Sequence, residues 1–265
     1  MLSPSVGLKE GGYVADRPVV VLSVPKAGTY LMGQVLTLLG VRDTGIHFDE
    51  VGFQDNSGRS REAILADCLT LRRAAKDSEV VLRIPAGHYG VGHARHSEEL
   101  ERSLSQCQTL FLRREVRACV ISMMRFCDRP DWDGDRSWKD EQEPSRKVLA
   151  YLRSDGVNFL AWISGIILWE RSPVVTRFRF EDLVAGGDRA TATVVEVATA
   201  VSMHVDLPFA QKVIETALLS NTVTRSSRPS IVEEYWSADA ESEFRRLGGH
   251  HLNGQIGYPQ NWTRT

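Results

Sequence analysis

One short segment near the amino terminus constrains the fold more than any other part of the chain. Residues 19–24 form an apolar run that is rich in β-branched side chains and interrupted only by Ser23, which predicts a strand buried on both faces. The run ends at Pro25, and Gly28 follows, so the chain turns there. Helical spacing begins after the turn and is carried by Leu31, Val35, Leu38 and Leu39, with Gly40 where a left-handed helix cap is expected. The sequence therefore predicts a strand, a tight loop and a helix.

The loop between that strand and helix has the chemistry of an anion site. The first backbone N–H groups of the helix and the positive end of its dipole point into the loop. Lys26 adds a positive charge, Gly28 allows close approach of the backbone, and Thr29 adds a hydroxyl. In the ATP-binding loop the glycine precedes the lysine, and a Ser or Thr directly after the lysine holds magnesium. Here the order is reversed and Ala27 follows the lysine, so the loop predicts a phosphate site without a magnesium ligand.

The run Pro-Lys-Ala-Gly-Thr after a buried strand resembles the 5′-phosphosulfate loop of the sulfotransferases that use 3′-phosphoadenosine 5′-phosphosulfate (PAPS). An ordinary strand-to-helix turn with a surface lysine is the alternative interpretation of these five residues. The resemblance implies nucleotide contacts from Lys26, Ala27, Gly28, Thr29 and Tyr30, with Lys26 also acting in catalysis.

A second segment repeats the pattern. Residues 109–113 predict a strand and residues 115–126 a helix, whose packed face holds Val116, Cys119, Val120, Met123 and Met124. Ser122 lies off that face, so the apolar pattern does not force it into the core. Arg114 stands at the strand end, where its guanidinium can grip a phosphate in two places and the helix start can form a second anion cradle. The frame F-L-R-R-E-V-R-A-C-V-I-S resembles the 3′-phosphate-binding segment of sulfotransferases, which implies that Arg114 and Ser122 hold the phosphate that distinguishes PAPS from ATP.

Two later segments carry weaker resemblance. The run V-V-T-R-F-R-F-E-D-L at residues 174–183 is similar to a late strand and turn of the same family, although Phe180 stands where the family often has tyrosine. Sulfotransferases also close a late loop over the 3′-phosphate. Arg225 and Arg228 could serve there, but the Lys-Gly pair of the family is missing.

The candidate general base follows a second predicted strand. Residues 79–84 read as a strand ended by Pro85, and His88 comes directly beyond it. Because ligands bind beyond the carboxyl ends of parallel strands, we expect His88 to face the same crevice as Lys26 and to act as the base. His93, His96 or a carboxylate are the alternatives. The three histidines do not have a recognised metal-ligand spacing, and no metal is expected.

The remaining segments between these motifs predict connectors and helices. Residues 41–61, which include His47, read as a loop that either lines an acceptor pocket or is a solvated connector, and residues 62–75 and 97–105 read as helices. Residues 127–145 form a variable acceptor-side segment, whose tryptophans either stack on the acceptor or anchor a surface loop. Its acidic residues do not form a calcium loop, because Arg136 and Gln142 occupy the positions of the required glycine and acid.

Composition limits the class of protein. The 265 residues suit one α/β domain over residues 1–265, with a loose lead-in at 1–16, and the net charge of −2 provides no field that attracts nucleic acid or an anionic membrane. The four cysteines lack paired spacing, which favours reduced, packed thiols. Without a signal-peptide pattern or a long apolar run, the expectation is a cytoplasmic protein with no membrane span.

Strands that alternate with helices predict an α/β fold, with three α/β/α layers around a central, mainly parallel sheet. The resemblance makes this sheet P-loop-like. It implies in-line transfer of a sulfuryl group from PAPS, which leaves as PAP, to a hydroxyl or amine of a small-molecule, glycan or natural-product acceptor. The alternatives are a P-loop kinase that uses ATP and a catalytically silent nucleotide-binding protein. The oligomeric state stays open.

Overall fold

A computed structural model describes residues 15–59, 63, 72–128, 137–219 and 231–261. These residues form one seven-stranded sheet. Its strands are β1 (Val19–Ser23), β2 (Arg42–Asp49), β3 (Gly52–Asp55), β4 (Arg72–Arg73), β5 (His88–His93), β6 (Gln108–Arg113) and β7 (Val175–Arg179). The order across the sheet is β4-β3-β2-β5-β1-β6-β7. Five neighbouring strands pair in parallel, in the order β2, β5, β1, β6 and β7. At the β2 edge, β3 pairs antiparallel with β2, and β4 pairs antiparallel with β3. The predicted α/β class with a mainly parallel sheet is confirmed.

Helices lie between and after the strands. In the described ranges they are α1 (Thr29–Leu39), α2 (Asp77–Val81), α3 (Glu98–Leu104), α4 (Val116–Cys127), α5 (Pro144–Leu152), α6 (Asp155–Ile166), α7 (Phe180–Val184), α8 (Gly187–Ala200), α9 (Leu207–Leu219), α10 (Ile231–Tyr235), α11 (Ala238–Arg246) and α12 (Gly249–Gln255). A 3₁₀ helix at Ile167–Arg171 follows α6. None of these helices combines the length and the apolar character needed to cross a membrane.

Strand β1 is the centre of the core. All five of its residues are buried, so both faces of the sheet are covered there. Helices α1, α8 and α9 pack together and reach the sheet, while α4, α5 and α6 pack on one another and on α10, α11 and α12. Gly40 ends α1 with φ of 100°, and its N–H donates to the carbonyl oxygen of Thr37, as the sequence predicts.

The predicted strand at residues 79–84 is wrong. Val80 and Val81 are buried in the short helix α2, and the strand begins later, at His88. The glycines of β5, which are unusual inside a strand, are needed for packing. A Cβ atom at Gly92 would lie 2.6 Å from the Phe48 ring, and one at Gly90 would lie 2.6 Å from Ile84.

Three other local predictions also need correction. The predicted loop over residues 41–61 contains strands β2 and β3, in which buried Ile46 and Phe48 alternate with more polar residues. The predicted helix over residues 62–75 is wrong at its end, where β4 lies, and residues 64–71 are outside the described part. At the end of the predicted loose lead-in, Ala15 is buried in the core.

Candidate active site

The loop after β1 has the backbone conformation of an anion-binding turn. Lys26 has φ of 70° and Gly28 has φ of 95°, both in the left-handed region. Gly28 is the N-terminal cap of α1, and no side chain caps this helix end. The first backbone amides of α1 therefore face the loop, in line with the sequence expectation. The ammonium group of Lys26 lies 4.3 Å from the centre of the Phe126 ring, which places it between the loop and helix α4.

Arg114 joins the two predicted phosphate-binding segments directly. It is 5% exposed, and its Nη1 donates a hydrogen bond of 3.1 Å to the main-chain oxygen of Lys26. The contact follows from the sheet, because β1 and β6 are parallel neighbours that end at the same edge. A backbone hydrogen bond of 3.0 Å from Val24 to Leu112 continues this pairing into the loop. Lys26 and Arg114 thus meet at the sheet edge where the sequence predicts the crevice.

Phe180 forms a common wall for these residues. Its ring centre lies 4.4 Å from the Arg114 guanidinium, a cation–π contact. On the side of the loop, a Cβ atom at Gly28 would lie 2.5 Å from Cδ2 of Phe180, so only glycine fits beneath the ring. The aromatic ring makes both contacts without the hydroxyl of the tyrosine that the sulfotransferase family often has at this position.

Ser122 is buried, although it lies off the apolar face of α4. It is 1% exposed, because other helices pack around α4 on more sides than its apolar stripe predicts. Its hydroxyl makes no hydrogen bond with the described residues. Leaving a buried hydroxyl without a partner costs about 1–3 kcal/mol. A phosphate oxygen would be a suitable acceptor for it, so the residue fits a role in nucleotide binding.

The amino-terminal end of α4 is not the second anion cradle that the sequence suggests. The backbone N–H of Glu115 donates to a carboxylate oxygen of Glu181 at 3.2 Å, and that of Val116 donates to the side-chain oxygen of Asn253 at 2.7 Å. These side chains already satisfy the first amides of the helix. An anion at this end of the crevice would be held by side chains, chiefly Arg114.

His88 lies at the opposite end of its strand from the crevice. It is the first residue of β5 and pairs with Arg42, the first residue of β2. Its Nδ1 lies 3.0 Å from the main-chain oxygen of Ala86. Five residue steps separate His88 from His93, which is about 16 Å along a strand. The expectation that His88 faces Lys26 is therefore wrong.

His93 occupies the place that the sequence reasoning gave to His88. It ends β5 and pairs with Asp49, the last residue of β2. Its Nδ1 lies 3.0 Å from the main-chain oxygen of Ser23, and the Ser23 hydroxyl is 2.7 Å from that of Thr29. The Ser23 hydroxyl lies 3.1 Å from the same nitrogen and could donate or accept, but the carbonyl oxygen can only accept. The carbonyl contact therefore assigns the proton to Nδ1 and leaves the free lone pair of the neutral ring on Nε2. Nε2 has no hydrogen-bond partner among the described residues.

The surroundings of His93 keep its ring neutral. Burial is the largest cause that lowers the pKa of His93, to about 3, and the charges of His47 and Lys26 act in the same direction. The Ser23 carbonyl and the Asp49 carboxylate oppose this shift. At neutral pH the ring is therefore unprotonated and the lone pair of Nε2 is available, while the same burial weakens its basicity.

Aromatic rings surround His93. The ring of His47 lies edge-on at a centroid distance of 5.1 Å, and that of Trp162 lies at 5.8 Å. Tyr30, which is 46% exposed, places its hydroxyl 3.4 Å from Nδ1 of His47. The sequence placed His47 in a loop. The alternation of Ile46 and Phe48 with polar residues was the signal that could have identified its strand.

The other residues that the sequence singled out lie away from the His93 cluster or outside the described residues. His96 is bonded to Glu101 at 3.2 Å and packs on Trp169. Trp138 is fully buried against Tyr151, so it anchors its segment. Arg225 and Arg228 lie outside the described residues and stay a prediction. Across the described ranges, no three His, Cys, Asp or Glu side chains are arranged as metal ligands.

Comparison with known proteins defines the class of fold. No family model matches the sequence, and no curated protein matches it. Among solved structures, the mouse sulfotransferase SULT7A1 complexed with PAP matches with a TM-score of 0.56 and 12% identity, over 90% of this chain and 88% of that chain. Retinol dehydratase in complex with androsterone and inactive cofactor PAP matches with a TM-score of 0.55 and 10% identity, over 93% of this chain and 82% of that chain. The chain has the P-loop-like α/β fold of these proteins.

Proposed function

We propose that this chain is a sulfotransferase that moves a sulfuryl group from PAPS to a hydroxyl or amine of a small-molecule or glycan acceptor. The hydrogen bond from Arg114 to Lys26 carries the proposal. It joins the two predicted phosphate-binding segments, which supports a nucleotide with phosphates at its two ends. The two structurally similar proteins are both complexed with PAP, which supports the same nucleotide here.

The residues divide into two groups according to the end of the nucleotide that they contact. At the 5′ end, Lys26 and the backbone amides of Gly28 and Thr29 stabilise negative charge on the leaving phosphate oxygen, and Ala27 and Tyr30 complete the loop. At the other end, Arg114 and Ser122 hold the 3′-phosphate. When bound, PAPS supplies the sulfuryl group. The buried hydroxyl of Ser122, which has no hydrogen-bond partner among the described residues, fits a phosphate-bearing ligand.

We assign the role of general base to His93 in place of His88. Its Nε2 takes the proton of the acceptor, while its Nδ1 proton stays on the hydrogen bond to Ser23. That hydrogen bond fixes both the ring orientation and the tautomer. The hydroxyl contact between Ser23 and Thr29 links the base to the first residue of α1.

The direct test is acceptor-dependent transfer. The protein is incubated with PAPS and a panel of phenols, alcohols, amines and sugars, and PAP release is measured with the mass of the sulfated product. We expect His93→Ala to lower kcat by more than about tenfold, whereas His88→Ala, the matched control at the other end of β5, leaves kcat unchanged. Lys26→Ala should depress kcat more than PAP affinity, because it acts on charge that develops during transfer.

Three outcomes would overturn the proposal. Absence of PAP binding would exclude the nucleotide site, and phosphate transfer from ATP with magnesium would favour a kinase. PAP binding without transfer to any acceptor in the panel would favour a catalytically silent nucleotide-binding protein.

A further inference from the structure

The segment of residues 253–260, at the end of α12 and just beyond it, contacts the first turn of α4, directly after Arg114. The side-chain oxygen of Asn253, which is 0% exposed, accepts a hydrogen bond of 2.7 Å from the backbone N–H of the first residue of α4. Arg117, which is 1% exposed, donates to two main-chain oxygens of the segment at 3.2 Å and 2.8 Å. Two buried polar side chains therefore fix the 253–260 segment to the start of α4.

The same segment also contacts the turn after β7, where the ring of Phe180 stacks on the guanidinium of the phosphate site. Arg179, which precedes Phe180, donates at 2.8 Å to a main-chain oxygen of the segment, and its guanidinium lies 4.9 Å from the centre of the Tyr258 ring. Glu181, which follows Phe180, accepts a hydrogen bond from the Tyr258 hydroxyl. Both chain neighbours of the stacking ring are therefore held by the 253–260 segment.

The Glu181 carboxylate connects these contacts to Arg114. One of its oxygens accepts from the Tyr258 hydroxyl, and the other accepts at 3.2 Å from the backbone N–H of Glu115, the residue after Arg114. Burial, followed by the charge of Glu181, raises the pKa of Tyr258, so the hydroxyl keeps its proton and is the donor. Loss of this donor would leave one oxygen of a partly buried carboxylate without its partner, so the carboxylate would turn toward water and its hold on Glu115 would weaken.

We propose that Tyr258 is a positioning residue for the 3′-phosphate site, because it holds Glu181 in the place from which Glu181 fixes the backbone beside Arg114. This inference rests on the proposed function and adds to the site a residue that does not touch the nucleotide. A guanidinium that grips a phosphate in two places loses affinity when it is displaced, since both hydrogen bonds depend on its orientation. The effect should fall on the 3′-phosphate, because the lysine loop belongs to β1 and α1.

The test is a double-mutant cycle between Tyr258→Phe and Arg114→Ala. Tyr258→Phe removes the hydroxyl and keeps the ring beside Arg179. Calorimetric titration measures the affinity of the wild-type protein, both single variants and the double variant for PAP and for adenosine 5′-monophosphate (AMP), which lacks the 3′-phosphate. We expect Tyr258→Phe to weaken PAP binding about five- to tenfold and to leave AMP binding within about twofold. In the Arg114→Ala protein, Tyr258→Phe should change PAP affinity by less than about twofold, because a positioning residue acts only through the residue that it positions.

Two further variants complete the test. Tyr235→Phe, the matched control, removes a hydroxyl from α10 and should leave the affinities for PAP and AMP unchanged. Glu181→Gln serves if Tyr258→Phe unfolds below the temperature of the titration. It leaves a single acceptor oxygen for two donors, so it should show the same loss of PAP affinity with unchanged AMP affinity.

Three results would overturn the positioning role. Tyr258→Phe could weaken PAP and AMP binding equally, it could change neither, or its effect could add in full to that of Arg114→Ala. The proposed function would stand in each case as long as the wild-type protein prefers PAP to AMP. If the wild-type protein binds PAP no more tightly than AMP, the proposed function itself fails.

Discussion

Arg114 donates a hydrogen bond from Nη1 to the main-chain oxygen of Lys26 over 3.1 Å. The two residues are 88 positions apart in the chain and come together because β1 and β6 are adjacent parallel strands. The contact joins the lysine loop and the arginine at one edge of the sheet. Phe180 covers both, since it stacks on the guanidinium and packs over Gly28.

Ser122→Ala separates stability from binding. The Ser122 hydroxyl is buried and has no partner among the described residues, so its removal should leave the melting temperature of the free protein unchanged or slightly raised. PAP affinity should fall about tenfold or more, because a hydrogen bond to a charged phosphate is lost. Thermal denaturation and calorimetric titration measure the two effects. The control Ser164→Ala, at an exposed hydroxyl bonded to the Ala161 carbonyl, should leave PAP affinity unchanged. A destabilised Ser122→Ala protein with normal PAP affinity would contradict the assignment.

Gly28→Ala and Gly40→Ala form a matched pair. Both glycines flank α1 with φ near 100°, so each substitution imposes left-handed strain of about 1–2 kcal/mol. At Gly40 nothing lies within 4 Å of the added Cβ, whereas at Gly28 the Phe180 ring lies at 2.5 Å. We expect both variants to lose stability but only Gly28→Ala to lose PAP binding as well. Equal PAP affinity in the two folded variants would show that the packing of Phe180 on the loop does not shape the site.

The pH dependence of kcat/KM tests the state of His93. Its pKa is lowered to about 3, mainly by burial, from the usual 6.5, so the base stays unprotonated in weak acid. We expect no acid limb near pH 6.5 and a level profile from about pH 8 to pH 5. Ring titration by NMR, with His93→Gln for assignment, gives the same quantity directly. If the His93 ring titrates near pH 6.5 in the free protein, it does not lie in the buried environment described above.

The lowered pKa of His93 also determines how the stability of the protein changes with pH. Between about pH 3 and 6.5 the unfolded chain binds a proton at residue 93 that the folded protein does not bind. Stability should therefore fall as pH decreases through this window, and the fall should be smaller in His93→Gln. A steeper loss of stability in the variant would contradict burial of a neutral ring.

The sequence predicts those parts of the fold in which local and global signals agree. The unit of β1, loop and α1 has a buried run, a turn at Pro25 and a cap at Gly40, and all three are found. Strand β5 was missed because its glycines resemble a loop, although they make room for Phe48 and Ile84 from neighbouring segments. Such contacts between distant residues leave no local pattern.

The site was predictable to the same extent. Lys26 and Arg114 follow apolar strands, so the sequence could place both at one sheet edge. It could not place the proposed base, because the position of that residue depends on where β5 begins. Misplacing that strand moved the role to His88, about 16 Å from its proper place. The burial of Ser122 also depends on how the later helices pack around α4, which periodicity within α4 does not reveal.

Calorimetric titration with PAP and with adenosine 5′-monophosphate, which lacks the 3′-phosphate, tests the central claim most directly. The wild-type protein should bind PAP at least about 30-fold more tightly, and Arg114→Ala should remove most of that difference. Arg125→Ala, at an exposed arginine of α4, is the control and should retain it. Equal affinity of the wild-type protein for the two nucleotides, or an undiminished preference for PAP in Arg114→Ala, would contradict a single crevice that holds both ends of the nucleotide.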